Sequence, residues 1–187
     1  MAKAVLISIQ PGWCERIASG EKKLEVRKTR PKLETPFKCY IYQTKAKWAF
    51  DFLREIGFDE IANLLSRSFG MVIGEFVCDG IKCFDVPYPA FQDKLDKRIL
   101  EGSCCTYYQL HRYAYHDNLY GWHISDPVIY GKPKELSEFM KPCKNDLYCE
   151  VCAMYSEFSE RCLNKALVLS RPPQSWCYVE ELEGSTK

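Results

Sequence analysis

The chain has 187 residues, 47% of them hydrophobic, with 26 Lys or Arg against 25 Asp or Glu and a net charge of +1. That apolar share excludes a disordered tail, and the length fits one principal domain with a small appendage. No stretch nears the roughly 20 continuous apolar residues of a membrane helix, so no membrane partner is expected.

The charge is unevenly spread. Residues 1–54 hold twelve Lys or Arg against five acids, and the remainder holds fourteen against twenty. A basic N-terminal third suits phosphate contact, because counterion release supplies most non-specific nucleic-acid affinity. An ordinary solvated surface, balanced by acids elsewhere in space, is the alternative. The eleven cysteines are an odd number, and the apolar run Ala4–Ile9 is too short for a secretory leader. A cytoplasmic location is therefore expected, with metal binding or free thiols and no disulfide framework.

In chain order, Val5–Ile9 reads as a first strand. Pro11–Ser19 reads as a short helix, with proline at its start, Trp13 and Ile17 on one stripe, and Gly20 at its stop. Lys23–Lys28 is a second strand. Its alternation puts Leu24 and Val26 on one face and Lys23, Glu25 and Arg27 on the other. Cys39–Thr44 is a third strand. Helices follow, one carrying Trp48, Phe52 and Leu53, the next capped by Asp59 and carrying Ile61, Leu64 and Leu65.

Gly70–Cys78 is a long central strand that continues past Asp79-Gly80 into Ile81–Phe84. The segment 87–102 lacks a strand pattern and holds one helix near Lys94–Leu100. Thr106 and Gln109 form a capping-box pair for a helix through Tyr115. Trp122–Ile129 is the next strand, and a turn at residues 132–139 enters a brief helix. Tyr107, Tyr108, Tyr113, Tyr115, Tyr120 and Trp122 crowd one region with all three histidines. Core packing is the simpler role for these rings, with base stacking as the alternative.

The strand–helix–strand unit of residues 5–28 resembles the ASCH domain of the PUA-like superfamily. The family signature is glycine, any residue, lysine, two residues, glutamate, any residue, arginine, and Gly20, Lys22, Glu25 and Arg27 match each place. The resemblance covers residues 1–135 and ends near Tyr120–Ser125, which looks like the family's closing strand. It implies an α+β fold, a PUA-like small mixed β-barrel with flanking helices. Periodicity alone gives only α+β.

The resemblance also implies RNA association. Glutamate can accept hydrogen bonds from exocyclic amines, arginine can fork onto a carbonyl or phosphate, and lysine supplies a mobile charge. Lys22, Glu25 and Arg27, with His123 on the closing strand, are thus the expected ligand-binding residues for an unstacked or modified base. A plain surface salt bridge is the competing reading. On the binding reading, Arg27→Ala is expected to weaken ligand binding with little loss of folding.

One family branch looks like an amidohydrolase of N4-acetylcytidine, in which the signature lysine acts with a threonine three residues later and a distant glutamate. Lys22 matches the lysine, whereas Glu25 stands at the threonine place. If the chain is an enzyme, Lys22 and Glu25 are its catalytic candidates. Whether any reaction is catalysed is left open by the sequence.

Residues 136–187 form a cysteine-rich extension expected to dock on the barrel. Cys143, Cys149, Cys152 and Cys162 follow a Cys-x5-Cys-x2-Cys-x9-Cys spacing. Four thiolates satisfy the tetrahedral preference of zinc, giving a structural knuckle. Free thiols, or a redox pair at Cys149 and Cys152, are the alternative. Cys177 can replace one ligand, although residues 171–179 read as an apolar segment returning to the barrel. A zinc tail that contacts another protein is the third functional reading.

Overall fold

The computed structural model describes residues 2–45, 55, 68–143 and 164–182. The expected helices at Trp48–Leu53 and after Asp59 lie outside the described residues, apart from residue 55, which is helical.

Six strands form one sheet: β1 (Lys3–Ile9), β2 (Leu24–Arg27), β3 (Phe37–Gln43), β4 (Val72–Phe84), β5 (Leu119–Lys134) and β6 (Trp176–Glu180). Their order is β2-β5-β4-β3-β1-β6. β1 and β3 pair in parallel, and the other neighbours pair antiparallel. The architecture is the mixed α+β one expected, but the strand ladder does not close into a barrel. Side chains span the gap between its two edges instead. Arg27 of β2 donates to the Ser8 carbonyl of β1 at 2.6 Å and to Ser175 Oγ beside β6 at 3.4 Å. The Trp176 indole N–H donates to Thr29 Oγ1 at 3.0 Å.

Alternation along the strands sorts the apolar residues into layers. One core joins Val5, Ile7 and Ile9 of β1 with Cys39, Ile41, Phe76, Trp122 and Ile124. Helix α1 (Pro11–Ala18) covers it with Cys14 and Ile17. The opposite face packs Leu6, Tyr40, Val72 and Val179 beneath Phe139 and Leu169. A third cluster joins Val26 and Leu119 to helices α2 (Lys97–Ser103) and α3 (Tyr107–Ala114) through Ile99, Tyr107 and Leu110.

The capping box is present as expected. Gln109 N–H donates to Thr106 Oγ1, and Thr106 N–H donates to Gln109 Oε1. The helix expected near Lys94–Leu100 begins later, where Asp96 caps it by accepting from Arg98 N–H.

Strand β5 runs well past Ile129. A bulge accommodates Pro127: Ser125 faces Val77, Val128 faces Glu75, and Asp126 takes a φ of +47°. Gly74 lets this pairing form, since a Cβ there would collide with the Val128 carbonyl. The returning apolar segment docks as a strand, with Val179 opposite Ala4 and Cys177 opposite Leu6. Residues 136–143 and 164–182 therefore share a core with the first part of the chain, through Phe139, Leu169 and Val179.

Candidate functional site

Gly20 ends α1 in the left-handed region at a φ of +77°, a conformation that favours glycine. The chain then reverses, and Lys22 N–H bonds back to the Arg16 carbonyl at 2.9 Å. This turn directs Lys22 at Glu25, three residues on, with 3.5 Å between Nζ and Oε2. Glu25 and Arg27 share a face of β2, and Arg27 Nη2 lies 2.9 Å from Glu25 Oε1. Their side chains are 3%, 8% and 11% exposed for Lys22, Glu25 and Arg27, so this is no surface salt bridge.

The three groups converge on a cavity of about 490 Å³. That is within the roughly 300–1,000 Å³ range of small-molecule sites. Its walls include Ser8 and Ile9 at the end of β1, Trp13 on α1, Thr44 after β3, Gln109, Leu110 and Tyr113 on α3, and Gln174 before β6. Lys22 donates to the Ser103 carbonyl at 2.9 Å and rests 4.9 Å from the Trp13 ring centroid. With Glu25 Oε2 at 3.5 Å, the ammonium sits between a carbonyl, a ring and a carboxylate.

Three buried polar atoms here lack a hydrogen-bond partner among the described residues: Glu25 Oε2, Arg27 Nε and Trp122 Nε1. Trp122 lies opposite Glu25 across the β2–β5 pair. Of these residues Glu25 and Arg27 line the cavity and offer it one acceptor and one donor, and an unmade buried hydrogen bond costs about 1–3 kcal/mol each. The local chemistry favours a polar guest that offers both a donor and an acceptor.

His123 does not join this group. Trp122 takes the inward position opposite Glu25, so alternation turns His123 outward, half-exposed, with Nδ1 2.6 Å from Asp79 Oδ1. Of the crowded aromatics, Tyr107 and Trp122 are core, while Tyr108, Tyr113 and Tyr115 are exposed. Tyr113 stands at the cavity mouth, beside Lys28, whose ammonium lies 5.8 Å from its ring.

Trp13, Ser8 and Gln109 were not singled out as ligand contacts from the sequence. The spacing of α3 offered a clue for the last, since Gln109 and Tyr113 are four apart on one face.

Thiol chemistry does not account for the cavity. Burial pushes the Cys105 thiol upward, with Lys22 pulling the other way, so it stays a thiol rather than a thiolate near neutrality. Burial also raises Cys14 and Cys39, and takes Cys78 to about 12. Glu75, the buried carboxylate of β4, faces away from the cavity and pairs with Lys38 and the Tyr130 hydroxyl. Among the described lining residues, Glu25 is the sole carboxylate.

Of the expected zinc ligands, Cys143 is partly buried, while Cys149, Cys152 and Cys162 lie outside the described residues. Among the described residues no three His, Cys, Asp or Glu gather as metal ligands. Cys177 packs beside the Leu6 and Tyr40 cluster, and burial raises its thiol. No described helix is long and apolar enough to cross a membrane.

Comparison with known proteins finds a fold likeness to solved structures. No family model and no curated protein matches this chain. Crystal structures of ASCH from Zymomonas mobilis do match. A serine-to-alanine variant is 17% identical, with a TM-score of 0.56 over 95% of this chain and 89% of that one. A tyrosine-to-phenylalanine variant is 18% identical, with a TM-score of 0.52 over 96% and 92%. The unsubstituted protein is 18% identical, with a TM-score of 0.52 over 95% and 88%. The chain thus has the ASCH fold, and the likeness extends over the C-terminal part as well as the first 135 residues.

Proposed function

We propose that this protein is an RNA- or nucleotide-binding module that takes an unstacked or modified base into the Lys22–Glu25–Arg27 cavity. One observation carries this reading: a buried acid between two bases, with Glu25 Oε2 and Arg27 Nε making no hydrogen bond among the described residues. A base edge presents donors and acceptors side by side, which Glu25 and Arg27 can meet together. Trp13 and Tyr113 supply rings at the wall and mouth against which a base or ribose can rest. A calorimetric screen of nucleosides and nucleoside monophosphates tests the reading. Saturable binding of at least one of them is expected, and absence of binding across the panel would overturn it.

A hydrolase acting on a modified nucleoside is the second reading, favoured by Lys22 standing in the cavity wall. The bond of Lys22 to the Ser103 carbonyl and its ion pair with Glu25 count against it. Release of acetate from N4-acetylcytidine, lost in Lys22→Ala, would reverse this ranking.

For the C-terminal part we propose a structural zinc ion on Cys143, Cys149, Cys152 and Cys162, resting on their spacing and on the chemistry of four thiolates. Metal analysis of protein purified without chelator should find about one zinc per chain. The double substitution Cys149→Ser/Cys152→Ser should remove most of it. Metal-free wild-type protein would contradict the assignment.

A further inference from the structure

Directly beyond Arg27, the loop between β2 and β3 borders a second and larger cleft, of about 850 Å³. Its rim carries Lys28, Arg30 and Lys32, with Glu34 the lone acid on it. Lys28 is committed to Asp117 at 3.1 Å. The exposed side chains of Arg30 and Lys32 have no ion-pair partner among the described residues. The floor is different in kind. Leu33, Ile81 and Tyr120, all half-buried, pack against the main core and offer an apolar and aromatic surface.

The loop is held in place rather than hanging free. Thr29 Oγ1 accepts from the Trp176 indole at 3.0 Å, and Lys32 N–H donates to the Tyr178 hydroxyl at 2.7 Å. The cleft and the base cavity also adjoin. Tyr113 lines the cavity, Lys28 lines the cleft, and the Lys28 ammonium lies 5.8 Å from the Tyr113 ring centroid.

We infer that this cleft carries the sugar-phosphate continuation of a single-stranded nucleic acid whose one base occupies the cavity. The inference rests on the base-binding reading and deepens it, by making a strand rather than a free nucleoside the preferred ligand. Unpaired cations above an aromatic floor suit the mixed charge and ring surface of a nucleotide chain. An acidic polypeptide would use the cations and leave the floor unmatched.

The test compares a short fluorescent single-stranded RNA with the nucleoside of its preferred base, across a salt series, in wild type and Arg30→Gln/Lys32→Gln. The oligonucleotide should bind wild type more tightly than the nucleoside does. Its plot of log affinity against log salt should lose about 1.4 in slope in the double variant, two phosphates at roughly 0.7 each. Nucleoside affinity should be unchanged. An equal slope in both proteins, or an oligonucleotide no tighter than its nucleoside, overturns the cleft assignment while leaving the cavity standing. Binding of polyglutamate that competes with RNA and is lost in the double variant also overturns it, in favour of an acidic protein partner. If neither RNA nor any nucleoside binds wild type, the cavity reading falls and the cleft assignment falls with it.

Discussion

Glu25→Ala should lower folding stability by about 3–5 kcal/mol, the range for removing one partner from a buried ion pair. Two positive charges depend on this carboxylate, and neither can reach bulk water easily, since Lys22 is 3% exposed and Arg27 11%. Each keeps one carbonyl, Ser103 for Lys22 and Ser8 for Arg27, so the loss should fall toward the lower end of that range. Urea unfolding measures it as a fall in midpoint with little change in slope. A loss below about 1 kcal/mol would show that the triad is solvated and does not behave as a buried group. Glu25→Gln separates stability from recognition. It retains the shape and one acceptor oxygen, so it should unfold less readily than the alanine variant. It should still lose most nucleoside affinity, because its amide cannot accept at both former oxygen positions.

Arg27→Ala should be the second severe change, and in two measurable ways. The guanidinium spans Glu25, Ser8 and Ser175, and so joins β2 to β1 and to the start of β6 where the backbone ladder leaves a gap. Its removal leaves Glu25 without its closest counter-charge and the Ser8 carbonyl without this donor. A cost of about 3 kcal/mol or more follows. The little loss of folding expected from the sequence is therefore revised. Arg27→Lys should rescue only part of the stability, because a point charge cannot fork onto three acceptors. Hydrogen exchange gives the local readout: amides of β2 and β6 should exchange faster in Arg27→Ala, while those of β3 and β4 change less. Uniform acceleration across the sheet would contradict a seam role and show a purely global effect.

Much of this arrangement could be read in the sequence because it is local. Period-two alternation over Lys23–Lys28 put Glu25 and Arg27 on one face, and the Gly20 stop set Lys22 beside them. Two short-range rules sufficed. Thr106 and Gln109 were legible as a capping box for the same reason: the chemistry spans three residues. His123 was misplaced because its face depends on register. A shift of one residue along β5 exchanges His123 with Trp122, and only the pairing with β2 fixes which one turns inward.

The wall residues Ser8, Trp13 and Gln109 come from elements far apart in the chain, and no local pattern joins them. Strand β6 was hidden for a similar reason. Residues 171–179 begin Arg-Pro-Pro, which suppresses a strand reading, and the segment finds its partner only in β1, some 170 residues earlier. Strand β5 was read as ending at Ile129 before a turn at residue 132, whereas its pairing runs on to Lys134, with the bulge at Asp126-Pro127 making room for the proline inside it.

The central claim is that Arg27 and Glu25 are the groups that meet a base inside the cavity. NMR observation of the arginine Nε–H and tryptophan indole N–H signals, during titration with the tightest nucleoside of the screen, tests this most directly. The account predicts that the Arg27 Nε–H and Trp13 indole signals shift together and saturate with the binding curve, while that of Arg30 stays put. Saturating nucleoside that leaves the Arg27 Nε–H signal unmoved would contradict it.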